Sequence, residues 1–114
     1  MASDVSLALR EDLLATDAIV LEGPGYTETP LDDFDAYEFP GPVYIDLHRD
    51  TGLPLRIMVE EFVEDTERAV KSLRDNPLPW TFSLPQMKLK ERPLEEVLLA
   101  IWKKHRNIRM EWDG

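Results

Sequence analysis

Between residues 43 and 59 the chain reads VYIDLHRDTGLPLRIMV, with apolar and polar positions alternating on both sides of a turn. Val43, Ile45 and Leu47 alternate with Tyr44, Asp46 and His48, and Leu55, Ile57 and Val59 resume the alternation after Asp50-Thr51-Gly52. A period of two is that of a half-buried strand, and two such runs about a Gly-bearing turn predict a β-hairpin. His48-Arg49-Asp50 then falls at its polar tip.

Other periods surround this hairpin. Val5, Leu9 and Leu13 stand four apart behind Ser3, a candidate N-cap, and predict an amphipathic helix over residues 4–15. Residues 18–21 (AIVL) are apolar without a period and fit either a short buried strand or a further helical turn. After the hairpin, Phe62, Thr66, Ala69 and Leu73 form one stripe, with Val63 and Val70 beside it. With Glu64/Arg68 and Glu67/Lys71 pairs outside, they predict a helix over 60–76 that Asn76-Pro77 ends. Trp80, Phe82 and Leu84 alternate as a strand, and Met87 and Leu89 suggest a short edge strand over 87–90, protected by Pro85 and flanking lysines. Pro93 suits the first position of a helix with Glu95 and Glu96 in its first turn; Leu94, Val97, Leu98, Ile101 and Trp102 make its buried stripe, and Asn107 closes it. Ile108, Met110 and Trp112 then alternate as a last strand over 108–112.

Residues 22–42 (EGPGYTETPLDDFDAYEFPGP) interrupt this order with Pro24, Pro30, Pro40 and Pro42 and Gly23, Gly25 and Gly41. That density breaks regular elements and predicts a long loop, and a loop of this length in a small domain is functional or partly disordered. Asp32, Asp33, Asp35 and Glu38 alternate there with Phe34, Tyr37 and Phe39. The aromatics are either anchors that pin the loop to the core or contacts for a partner. The predicted architecture is α+β: one mostly antiparallel sheet, made of the 43–59 hairpin and strands near 80–84, 87–90 and 108–112, packed against two or three helices in a single domain of 114 residues.

Composition narrows the function classes. Lys and Arg number 13 against 23 Asp and Glu, a net charge of −10, which opposes direct nucleic-acid binding by phosphate neutralisation. The excess of acid lies in residues 1–85, whereas residues 86–114 carry slightly more base than acid. Such asymmetry describes either an electrostatic docking surface or an ordinary solvated one. No run of apolar residues is long enough to span a bilayer and no leader pattern opens the chain, so a soluble cytoplasmic protein with no membrane partner is expected. With no cysteine, thiolate chemistry and cysteine-ligated zinc drop out.

Catalytic motifs are missing. His48-Arg49-Asp50 has the letters of a kinase catalytic loop, but Leu55 stands where the metal-binding Asn belongs, and neither a Gly-rich loop nor DFG occurs. Asp33-x-Asp35 begins like a calcium loop and continues with Tyr37 and Glu38 instead of a ligand and a turn glycine. His48 and His105 belong to no metal-ligand pair, and Asp46, the carboxylate in mid-strand, reads as a solvated outer-face residue. No cofactor, metal or catalytic residue is expected. The sequence points to a non-enzymatic interaction module of the inhibitor, immunity or adaptor kind. Asp32, Asp33, Phe34, Asp35, Tyr37, Glu38, Glu60, Glu61 and Glu64 would form an acidic surface for another protein with a basic face. The alternatives are an assembly subunit of a viral or other oligomeric particle, self-associating through loops and edge strands, and a small carboxylate-based metal-binding domain or enzyme.

Overall fold

The structure, a computed structural model, describes residues 3–12, 18–38, 43–60 and 62–113. Along the described chain run β1 (Ser3–Ser6), β2 (Ala8–Leu9), β3 (Ile19–Glu22), β4 (Phe34–Glu38), β5 (Val43–His48), β6 (Pro54–Val59), α1 (Phe62–Asp75), β7 (Trp80–Leu84), β8 (Leu89–Arg92) and α2 (Leu94–Asp113). The fold is α+β, with mostly antiparallel strands as expected. The strands divide between two sheets, of order β2-β3-β6-β5-β4 and β1-β7-β8, where a single one was predicted.

The hairpin forms where alternation places it. Ile45 faces Ile57 and Val43 faces Val59 across β5 and β6, and β3 joins on the other side with Ile19 opposite Val59 and Leu21 opposite Ile57. These side chains share one face and are almost completely buried. The apolar run 18–21 is thus a strand, and it lacks a period because Val20, on the opposite face, is also buried.

The division into two sheets follows from residues 3–9, where the expected helix over 4–15 is overturned. Val5, Leu7 and Leu9 are buried while Asp4, Ser6, Ala8 and Arg10 are exposed, a period of two that coexists in the sequence with the four-residue spacing of Val5 and Leu9. Two sheet edges were available to satisfy the backbone, and the extended period wins. β1 pairs parallel to β7, the Leu7 N–H bonds to the Ser83 carbonyl at 2.8 Å, and β2 then pairs antiparallel to β3. One extended segment therefore edges both sheets. Residues 13–15, the last part of that predicted helix, lie outside the described residues.

Two other expectations are corrected. The strand over 108–112 is instead the last part of α2, which continues unbroken to Asp113. Asn107 ends a helix less firmly than Gly or Pro would, and a helix satisfies its own backbone where a strand would need a partner edge. The predicted loop 22–42 contains a turn of 3-10 helix (Leu31–Asp33) and β4, because residues 34–38 hold neither Pro nor Gly. The 87–90 strand starts slightly later, at Leu89, after a 3-10 turn over Pro85–Met87. α1 covers the predicted 60–76 helix closely.

Buried Ala69 and Leu73 from α1, Leu94, Val97, Leu98 and Ile101 from α2, and Phe82 and Leu84 from β7 join the inner faces of β3, β5 and β6 in one continuous core. Each fully buried Leu, Ile or Phe contributes about 1.5–3 kcal/mol through apolar burial, and this shared core holds the two sheets together.

Candidate functional site

The acidic segment forms one long edge of the five-stranded sheet. β4 pairs with β5 in unbroken register from Phe34 opposite His48 to Glu38 opposite Tyr44. The alternation of antiparallel bonding tells which way each backbone group points. His48 donates to the Leu53 carbonyl, toward β6, whereas the Arg49 N–H donates to the Asp33 carbonyl, toward β4, at 2.7 Å. At a period of two, Asp35 and Tyr37 bond β5, and Ala36 and Glu38 direct N–H and C=O outward, with the Phe34 carbonyl. The Phe34 N–H is taken by the Leu31 carbonyl.

Side chains divide by face in the same way. Asp35 and Tyr37 stand on the face that carries Leu47 and Ile45, at its margin, and Tyr37 remains 51% exposed. Phe34 and Ala36 stand on the opposite face. The Asp35 carboxylate accepts from the Arg49 guanidinium at 3.3 Å with both side chains open to solvent, so its charge is partly offset. Asp32 lies in the turn leading into β4 and is exposed; Asp33 beside it is half-buried, and neighbouring Leu31 is the most exposed large apolar residue described.

The expected surface is a band rather than a cluster. Asp32 and Asp33 sit at the hairpin-tip end of β4, while Glu38 and exposed Glu60 mark the other end, roughly 15 Å away at the rise of a strand. Glu61 and the side chains of Glu38 and Glu64 lie outside the described residues, as does Phe39.

Besides its pairing with β5, the acidic segment is held through Phe34 by a polar group on the outer face that the sequence reading did not assemble. Asp46 is not solvated: it is 8% exposed. Its Oδ2 accepts from Arg56 Nε at 2.8 Å and Nη2 at 2.7 Å. Arg56 Nη1 donates to the Tyr26 hydroxyl at 3.3 Å while the guanidinium lies 5.6 Å from the Tyr26 ring centre. Tyr26 in turn packs on Phe34 with ring centres 5.6 Å apart. Residues 23–30 are thereby strapped across the outer face of the sheet, and Phe34 packs on Tyr26 there, on the face away from the core to which the loop aromatics could have pinned the loop. The signal was present, since alternation alone puts Asp46 and Arg56 on the same outer face; what it could not supply was Tyr26, thirty residues away, closing over them.

The hairpin tip is structural. His48 Nδ1 accepts the Asp50 and Thr51 N–H groups at 3.1 and 3.4 Å, which turns the chain at Gly52 (φ +71°). Asp4 at the other sheet accepts from the Thr81 and Ser83 hydroxyls at 2.9 and 2.6 Å, and Ser83 Oγ accepts the Glu91 N–H at 3.1 Å. These bonds secure the bulge where β8 departs from β7. Among the described residues no group of three or more His, Asp and Glu is placed to hold a metal ion, and no described helix is long and apolar enough to cross a membrane. No protein-family model matches the chain, and comparison with curated proteins and with solved structures gives no match.

Proposed function

We propose that the protein is a non-enzymatic interaction module that docks a partner protein bearing a basic face along the β4 edge. The observation that carries this reading is the placement of Asp32 and Asp33 in the turn leading into the longest edge strand described, and of Asp35 on that strand beside a half-exposed Tyr37. Acidic side chains steer a basic partner, and an exposed aromatic gives it apolar area to cover. The strap of Tyr26 and Phe34 favours the same reading, because it presents the edge on a framework already ordered, which lowers the entropy cost of binding.

The test is capture of partners from the native source on immobilised protein at low and high salt. A partner with a basic face is expected, released at high salt and lost when Asp32→Lys and Asp33→Lys are combined. Reversal of exposed Asp75, at the opposite end of α1 from Glu60, should leave capture intact. Binding indifferent both to salt and to the Asp32/Asp33 reversal would refute the reading.

A further inference from the structure

Edge strands are usually blunted against pairing with other chains, and the described edges differ in this respect. β2 is two residues long, and the Gln86 side chain occupies the backbone of Leu9, accepting its N–H and donating to its carbonyl. β8 is broken by a register shift opposite β7 and by left-handed Glu91 (φ 49°), and left-handed Lys88 (φ 58°) stands just before it. β1, the remaining edge, is only four residues long, and the longer β4 has neither device. Its five residues keep register throughout, contain no Pro, and direct the backbone groups of Ala36 and Glu38 outward.

We infer that β4 receives an extended basic strand of a partner protein, which adds to the five-stranded sheet as its sixth member. This rests on the acidic docking reading above and specifies its mode. Backbone bonds from Ala36 and Glu38 give the strand its register, and the two faces of β4 select its side chains. On one face Tyr37 and Asp35 stand side by side at the margin, where an arginine stacks on the ring and bonds the carboxylate. On the other, Ala36 is small and exposed next to the Phe34–Tyr26 pair, leaving room for a branched apolar side chain. The selected sequence alternates arginine with valine-like residues. A second copy of this chain is disfavoured as the occupant, since it brings another net charge of −10 to the same edge.

The experiment compares two blocked peptides of equal charge on the full chain, an eight-residue alternating Arg-Val strand and an Ala-Arg helix former, with amide hydrogen exchange read by NMR. The strand peptide is expected to bind, to slow exchange at Ala36 and Glu38, and to leave Asp35 and Tyr37, already bonded to β5, unchanged. Ala36→Pro removes an outward N–H and no β4–β5 bond, so it should weaken the strand peptide roughly tenfold or more while retaining the circular dichroism of the parent. The exchange data on the unaltered protein stand independently of how that variant folds. Equal binding of both peptides without protection at Ala36 and Glu38 overturns strand addition and leaves acidic docking standing. Binding of neither overturns both. Protection of these amides that grows with protein concentration, without peptide, overturns the inference by assigning the edge to a second copy.

Discussion

Gln86 completes the edge of a strand that it does not belong to. Its Oε1 accepts the Leu9 N–H at 2.5 Å and its Nε2 donates to the Leu9 carbonyl at 3.2 Å, reproducing with one side chain the pair of bonds a neighbouring strand would make. Leu9 itself is buried, so the loss of this clamp strands backbone groups close to the core. Gln86→Ala is expected to cost roughly 1–2 kcal/mol. Gln86→Glu, which keeps the acceptor and loses the donor, should fall between it and the parent. Urea denaturation measures both as a lower midpoint at unchanged slope; an unshifted midpoint for Gln86→Ala would show that water replaces the clamp at no cost.

Asp46 and Arg56 should behave as a coupled pair. The carboxylate is almost enclosed, whereas the guanidinium side chain keeps 35% of its surface exposed. Truncating either to Ala is therefore expected to cost about 1–3 kcal/mol, below the range for fully buried pairs because water partly screens the arginine. The double variant should cost less than the sum of the two, since removing both leaves no unpaired charge. Arg56→Ala should additionally release the Tyr26–Phe34 contact, visible as faster amide exchange across residues 31–36. Strictly additive energies in the double-mutant cycle would mean that the two charges do not interact.

The parts legible in the sequence are those in which one period dominates. The hairpin alternates cleanly over residues 43–48, and the stripes Ala69–Leu73 and Leu94, Val97, Leu98, Ile101 admit only a helix. Residues 3–9 satisfy two periods at once, and the choice is made by the β7 and β3 edges, which come from remote parts of the chain. Leu7 is the informative residue: it interrupts a four-residue spacing and continues a two-residue one. Ile108 and Trp112 are ambiguous in the opposite sense, alternating with Arg109 and Glu111 yet also standing at helical spacing from Ile101. For the candidate surface, the acids of the 32–38 segment are evident by composition. Its regular strand is not, because four prolines and three glycines around it mask five residues that contain neither.

The Arg10 and Asp12 pair makes a prediction about acid. Both Arg10 Nε and Nη2 donate to the Asp12 carboxylate, at 3.0 and 2.8 Å, and this hydrogen bonding holds its pKa below the ordinary 3.8. A carboxylate whose folded value is depressed adds stability above its unfolded value, and that contribution disappears as pH falls through the folded one. An NMR titration of Asp12 should thus show a midpoint below 3.8 that returns toward it in Arg10→Gln. The pair is exposed, so added salt should shrink the difference. A midpoint unaffected by the Arg10 substitution would rule the pairing out.

Two glycines should respond differently to the same pair of substitutions. Gly52 lies at φ +71° with open space where a Cβ would project, so the cost of a side chain is conformational alone, roughly 1–2 kcal/mol for Ala. Asn tolerates the left-handed region better, and Gly52→Asn should recover much of that loss. At Gly23 the obstacle is contact: a Cβ there would meet the Pro54 carbonyl oxygen at 2.6 Å, and the Gly23 N–H is already bonded to the Leu55 carbonyl at 2.7 Å. The backbone of residue 23 must move away from β6 to admit any side chain, at a cost of about 1–3 kcal/mol. Asn is then no better than Ala. Thermal or urea unfolding of the four variants separates the two mechanisms, and rescue of Gly23 by Asn to the extent seen at Gly52 would show that strand approach does not limit that position.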